Sequence, residues 1–360
     1  MLKIFGAPSR YVQGPDALSG LGAFAARLGR RAVVVSDPLV GKMIGERVLR
    51  LCAEEQVDAR ISLVEGEVTH QKIAAVVESV RAHAPDLVIA AGGGKSIDIG
   101  KAVANALKTR LITVPTVASN DSPTSKNYVI YDDRHQLVAV EHLPFDPDYV
   151  VVDTLLLSKA PKHLFLAGIG DAISKKFEAE QAFAAGGANM FGEHSTLAAQ
   201  LLADGCYRIL RADAAAALDC AGSGSPTPAF ERAVEATLLL SGLGFESGGL
   251  SIAHALTRGW PAVPGVAAAM HGLQVAFGLL IQLTLEKRDD AIVAELAEWY
   301  RTVGLPRSLA DLGAAEASQA SLLEAAERTL TAPHVRNFKR ALSAAELAAC
   351  LDTFRHATPI

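Results

Sequence analysis

Two histidines and one aspartate are the residues here whose types and spacing allow chemistry. His254 and His271 share one apolar stretch, LGFESGGLSIAHALTRGWPAVPGVAAAMHGLQVAFG (residues 243–278), His254 inside one helical pattern and His271 at the start of the next. Pro261, Pro264 and Gly265 lie between them, where they stop the first helix and let the chain turn back. The two imidazoles could then face one cavity. Asp171, in AGIGDAISKKFEA, is a glycine-flanked carboxylate expected at a helix start. With the histidines it would form a three-ligand metal site that leaves a position open for water or substrate. Taken singly, each histidine also reads as a hydrogen-bonded core residue, and the separation of Asp171 from His254 is too long to be a local motif.

The elements that must hold such residues follow from periodicity. RAVVVS (residues 31–36) has the form of a buried parallel strand, and Asp37 at its carboxyl end either holds a ribose or, with Pro38 after it, caps a turn. A helix near residues 44–55, a strand near 59–63 and a helix over 71–83 come next. DLVIAA (residues 86–91) then runs straight into Gly92-Gly93-Gly94-Lys95-Ser96-Ile97-Asp98 and a further helix. Strand, glycine loop and helix start in that order make a phosphate cradle, with unobstructed backbone N–H groups aimed at an anion. It is not a Walker A loop, because the glycine required five residues before Gly94 is Ile89, and it does not fit GxGxxG either. A strand over 111–114 leads into PTVASNDSPTS (residues 115–125), either a loop of donors for a cofactor or a rigid surface turn. Residues 128–131 and 137–141 are expected to pair as a hairpin across Asp132-Asp133-Arg134, and 149–153 to form the last strand of this half. From Ser158 the patterning is helical, which predicts an α/β domain over 1–160 and an all-α domain over 161–360. GSGSPTP (residues 222–228) is expected as a loop between two helices.

The chain of 360 residues is half hydrophobic and one-fifth charged, enough for a large core. A formal net charge of -5 without blocks of like charge argues against nucleic-acid or membrane-surface binding. Cys52, Cys206, Cys220 and Cys350 form no CxxC pair and are expected as reduced thiols. The N-terminus lacks the pattern of a signal peptide, and the apolar run around Gln274 and Gln282 is too interrupted for a membrane span, so a cytoplasmic protein is expected.

Taken in order, YVQGPDAL, GGGKSID, PTVASNDSPTS with VIY, AGIGDA with FEA, GFESGGL with AHA, and HG followed by VAFG resemble the glycerol dehydrogenase branch of the metal-dependent, iron-containing-type alcohol dehydrogenases. The resemblance implies an N-terminal Rossmann-like α/β domain with a parallel sheet, a helical metal- and substrate-binding domain, a cleft between them, and a homo-oligomer. It implies that Asp171, His254 and His271 are zinc ligands. It implies NAD contacts at Asp37, Gly93, Gly94, Lys95, Asp98, Thr116, Ser119, Ser125, Asn127 and Tyr131, and a substrate contact at Asp121. The wider family often has a histidine four residues after the aspartate; this chain has Lys175, so three-ligand zinc is favoured over iron. The activity implied is NAD-dependent oxidation of glycerol or a related vicinal diol to the hydroxyketone.

The departures from the pattern gather on the substrate side. Lys126, Asn127 and Tyr128 replace a small, apolar segment, Arg258 and Trp260 follow His254, and Lys175 stands one turn beyond Asp171. Two or more of Lys126, Lys175 and Arg258 in the site would favour an anionic alcohol, either a hydroxy acid or a phosphorylated polyol; the bland reading is solvated surface. Dehydroquinate synthases offer a lyase alternative within the same fold, although their first metal ligand is a glutamate. A non-enzymatic binding role is the third reading.

Overall fold

The computed structural model describes residues 2–132 and 137–356. Six strands, β1 (Arg10–Gly14), β2 (Arg31–Ser36), β3 (Asp58–Leu63), β4 (Leu87–Gly92), β5 (Arg110–Pro115) and β8 (Tyr149–Asp153), form one sheet in the order β1-β8-β5-β4-β2-β3. Every pairing in it is parallel. Helices cover both faces, so the inner strands are buried on both sides and read as continuous apolar runs: each residue of β4 and of β8 is buried. Alternation divides the side chains between two cores. Ala32 and Val34 pack with Leu87 and Ile89 against Val40, Ile44 and Val48, while Val33 and Val35 pack with Val88 and Ala90 against Ile73, Val76 and Ile97.

β6 (Asn127–Tyr131) and β7 (Leu137–His142) pair antiparallel, as the patterning predicts, with a register shift at Ile130/Tyr131. Asp133 and Arg134 of the expected turn lie outside the described residues. β1 was not legible from its pattern. RYVQG is a short edge strand, exposed at Arg10 and partly buried over its other four residues, held by register with β8.

The chain forms two compact units. One comprises Gly6–Pro161 with Cys220–Leu239 and holds the sheet; the other comprises Met1–Phe5, Lys162–Asp219 and Leu240–Ile360 and is helical. The segment around residues 220–239 joins the sheet unit through polar ties: Gln13 Nε2 donates to Glu231 Oε2 at 2.8 Å, and Thr124 Oγ1 donates to the Leu238 carbonyl at 2.7 Å. GSGSPTP connects the helices Leu197–Cys220 and Pro228–Glu235 as expected.

In the helical unit a core of Ile252, Leu256, Trp260, Phe277 and Ile281 packs with Leu309, Leu322 and Leu347. Two placements differ from the sequence reading. Asp171 is the penultimate residue of the helix Lys162–Ala172, not at a helix start. His254 lies in a separate four-residue helix, Ile252–Ala255, because the chain turns at Gly249, whose φ of +98° is disfavoured for any residue with a Cβ. No single helix among the described residues is long and apolar enough to cross a membrane.

Candidate metal centre and nucleotide cradle

Close helix packing brings Asp171 and His271 together. Gly170 and Gly272 face each other where the helix Lys162–Ala172 meets the helix His271–Leu285: a Cβ on Gly272 would lie 1.7 Å from the Ala167 carbonyl oxygen, and one on Gly170 would lie 2.6 Å from the Gly272 carbonyl oxygen. Only glycines allow this approach, and each is next in sequence to a centre residue. His271 is the first residue of its helix, with its side chain half exposed, and its Nε2 lies 4.0 Å from Asp171 Oδ1.

His254 is positioned differently, through the amide groups of its short helix. The unpaired N–H groups at such a helix start need acceptors. Glu178 Oε1 accepts from Ser251 N at 2.8 Å and from His254 N at 3.0 Å, while Gln282 Oε1 accepts from Ala253 N at 2.9 Å. Glu178 Oε2 also accepts from His254 Nδ1, at 2.6 Å, and from Ser174 Oγ at 3.0 Å. The imidazole therefore turns Nε2 toward Asp171, whose Oδ1 is 3.1 Å away. Burial raises the pKa of Glu178, but His254, Lys175 and the Ser251 amide outweigh it and hold it at about 2. Burial acts the same way on Asp171, and the Lys175 ammonium with His254 and His271 keeps it well below the usual carboxylate range. Both groups are thus anionic.

One ligand atom from each of Asp171, His254 and His271 lies within 4.8 Å of the other two. One hard oxygen and two imidazole nitrogens, with a carboxylate behind one histidine, are a donor set that fits a divalent ion. Glu178 and Gln282 were not singled out from sequence. The available signal was the helical-turn spacing of residues 171, 175 and 178, although Asp171 closes one helix and Lys175 and Glu178 open the next, Lys175–Ala184.

Lys175 is wholly buried and donates from Nζ to Asp171 Oδ1 at 2.6 Å; the same Nζ is 3.0 Å from His254 Nε2. It is neither solvated surface nor an exposed base, whereas Arg258 is exposed. Lys126 is half-buried, and its carbonyl accepts from the Leu143 amide at 2.9 Å.

In the sheet unit the expected nucleotide residues converge at the carboxyl ends of adjacent strands, where open α/β sheets bind ligands. Asp37 follows β2, Gly93 follows β4 and Thr116 follows β5. Gly93 caps the helix Gly94–Leu107 in extended conformation with no side chain over the helix end. The Thr116 amide donates to the Gly92 carbonyl at 3.0 Å, and a Cβ on Gly94 would lie 2.6 Å from Asn120 Nδ2. Asp37 caps a helix: Oδ1 accepts from Val40 N at 2.9 Å, and Oδ2 accepts from Ser96 Oγ at 3.3 Å. Lys95 is exposed and paired with Glu67. Ser119 is half-buried and Ser125 buried.

Asp98 serves the scaffold. Its Oδ1 accepts from Ser122 Oγ at 2.5 Å and its Oδ2 from Val129 N at 3.1 Å, which fastens the 116–125 loop and β6 to the glycine-loop helix. Burial raises its pKa against the pull of Lys101, Ser122 and Val129. Lys101, also missed from sequence, is fully buried and donates to the carbonyls of Ser122 and Asn127, the latter at 2.7 Å. Asn127 Oδ1 pairs with His142 Nδ1 at 2.8 Å. The Tyr131 hydroxyl is pushed up to about 12 by burial and by Asp98 and Glu67. Asp121 is buried at the start of a short turn, its carbonyl accepting from Thr124 Oγ1 at 3.0 Å.

The sheet unit thus carries a glycine cradle at a helix start, and the helical unit carries a carboxylate and two histidines that could hold a divalent ion. Residues 8–154 match the family described as iron-containing alcohol dehydrogenase. The chain is 37% identical over 329 residues to a glycerol dehydrogenase of Citrobacter freundii, covering 91% of this chain and 90% of that protein. It is 36% identical over 327 residues to a glycolaldehyde reductase of Halobacterium salinarum, with the same two coverages. The crystal structure of a probable glycerol dehydrogenase from Sinorhizobium meliloti 1021 superposes with a TM-score of 0.92 at 34% identity, over 98% of this chain and 99% of that one. The chain belongs to the iron-containing alcohol dehydrogenase family, whose members imply a NAD-type cofactor and a divalent metal.

Proposed function

We propose that this protein is a NAD- and zinc-dependent dehydrogenase of glycerol or a related vicinal diol, yielding the hydroxyketone. The observation that carries this reading is the grouping of Asp171, His254 and His271 within 4.8 Å, in a chain similar over nine-tenths of its length to glycerol dehydrogenases. Zinc is favoured over iron because the position where the wider family often has a fourth, histidine ligand is Lys175. A zinc ion in this set would act as a Lewis acid on an alcohol oxygen, which eases loss of hydride from the neighbouring carbon to the nicotinamide ring.

The chain's own residues do the rest. Glu178 fixes the His254 tautomer and aims Nε2 into the centre. The half-exposed His271 leaves one side of the centre open to a small polyol. Gly93 and Gly94 present the helix N-terminus to the pyrophosphate, with Lys95, Thr116, Ser119 and Ser125 beside it, Asp37 at the adenosine ribose, and Asn127 and Tyr131 further along. Asp98 acts through the loop it fastens, and Asp121 orients a substrate hydroxyl. Without the metal, Lys175 is buried and paired with Asp171. Four buried cysteines, none of them in a disulfide among the described residues, suit a reducing, cytoplasmic setting, and a homo-oligomer is the state we expect.

NADH formation by zinc-loaded protein tests the reading against glycerol, 1,2-propanediol, glycerol phosphates and 2-hydroxy acids, with glycolaldehyde and NADH for the reverse direction. Turnover of the neutral diols supports it. Activity confined to the anions would replace it with the anionic-alcohol reading, and turnover without net NADH change would point to the lyase.

A further inference from the structure

Lys175 lies inside the donor set, and this constrains what else can be there. Its Nζ bridges Asp171 Oδ1, at 2.6 Å, and His254 Nε2, at 3.0 Å, which are themselves 3.1 Å apart. It is as buried as Asp171, and its ammonium sits 5.4 Å from the centre of the Phe245 ring, on an apolar wall. A divalent ion bonded to the same two atoms at about 2.0–2.2 Å would stand within about 4 Å of that ammonium on either side of the line joining them. Both cations would draw on the same carboxylate oxygen. At this burial their repulsion is weakly screened, and the side chain would have to leave for the ion to enter.

We infer that Lys175 is the resident cation of the metal-free centre and competes with the divalent ion for Asp171 and His254. The inference rests on the proposed metal centre. It has two consequences. The ammonium neutralises Asp171 when no metal is present, so the empty centre keeps its shape. It also makes metal binding weaker than the three donors alone would give, because each binding event must first break a charge-assisted hydrogen bond. A bond of that kind corresponds to about 10- to 100-fold in affinity.

The test is a zinc titration against a chromophoric chelator, using the full-length, chelator-stripped protein and its Lys175→Met, Lys175→Thr and Lys176→Met variants. Methionine fills the lysine volume without charge, and threonine serves if methionine fails to fold. Lys176 pairs with Asp204 outside the centre and is the control. The expected result is zinc binding about 10- to 100-fold tighter in either Lys175 variant, with Lys176→Met unchanged. The melting temperature of the metal-free Lys175 variants should fall below wild type and rise further on adding zinc. Equal affinities within twofold, or tighter binding by wild type, would overturn the inference while leaving the metal centre intact. Failure of every folded variant to bind zinc would overturn the metal centre itself, and the inference with it.

Discussion

The centre depends on a helix contact with no room for a methyl group, which makes Gly272→Ala the most informative perturbation. A Cβ there would sit 1.7 Å from the Ala167 carbonyl oxygen, where real contacts stay above 3.0 Å, and only 3.1 Å from the Asp171 amide nitrogen. The obstacle is backbone on a helix packed along its length, so relief requires the two helices to part by about 1.3 Å. His271 Nε2 and Asp171 Oδ1, now 4.0 Å apart, would then stand as much as about 5.3 Å apart. An ion with bonds of about 2.0–2.2 Å cannot bridge more than about 4.4 Å. Zinc affinity should therefore fall by about 100-fold or more, kcat/KM for the diol by about 100-fold, and stability by about 1–3 kcal/mol. Chelator competition, NADH formation and urea unfolding read the three quantities. Gly205→Ala is the matched control, because a Cβ there meets nothing nearer than Leu240 Cδ1 at 3.9 Å; it should stabilise the helix Leu197–Cys220 by about 0.5–1 kcal/mol and leave zinc binding alone. A Gly272→Ala protein that binds zinc as tightly as wild type would refute the argument that this contact sets the ligand spacing.

Glu178→Gln keeps the shape of the clamp but loses its charge and faces the His254 Nδ1–H with an ambiguous amide. It should weaken zinc binding by about 10- to 100-fold, and retention of full affinity would mean that packing alone orients the ring. Gly94→Ala puts a methyl group against the Asn120 side chain at the mouth of the cradle. It should raise the NADH dissociation constant about tenfold, equivalent to about 1.4 kcal/mol, without changing zinc affinity. The double variant with Asn120→Ala should recover most of the loss, and fluorescence titration of NADH decides both.

Much of this was legible because it is local. RAVVVS, DLVIAA and YVVVD are apolar runs of strand length, and only a sheet covered on both faces buries them. The glycine loop could be placed because its neighbours on both sides change period within a few residues. The edge strand β1 escaped because RYVQG carries no such run and takes its conformation from pairing with β8. Asp98 and Asp37 show the limit for side chains. The sequence puts carboxylates at the right ends of the right elements, but not whether their oxygens are already used, and in both cases backbone amides and serine hydroxyls have claimed them.

The candidate metal centre was legible in its residue types and not in its construction. Asp171 and His271 are a hundred positions apart, and what joins them is a pair of glycines whose neighbours look like any helix. His254 was read as lying inside one helical pattern; the break at Gly249 exposes the amides of the next short helix, and Glu178 and Gln282 enter the core to satisfy them. A buried glutamate and glutamine are unfavourable unless bonded; Gln282 inside the apolar helix His271–Leu285 and the spacing of Glu178 from Asp171 are the sequence traces of that arrangement. The same logic applies to Lys175. A lysine one turn beyond a buried aspartate reads as surface until the aspartate's burial is known, and then it must be buried with it. Without a metal in the centre, the Lys175 charge is met by the protein's own carboxylate.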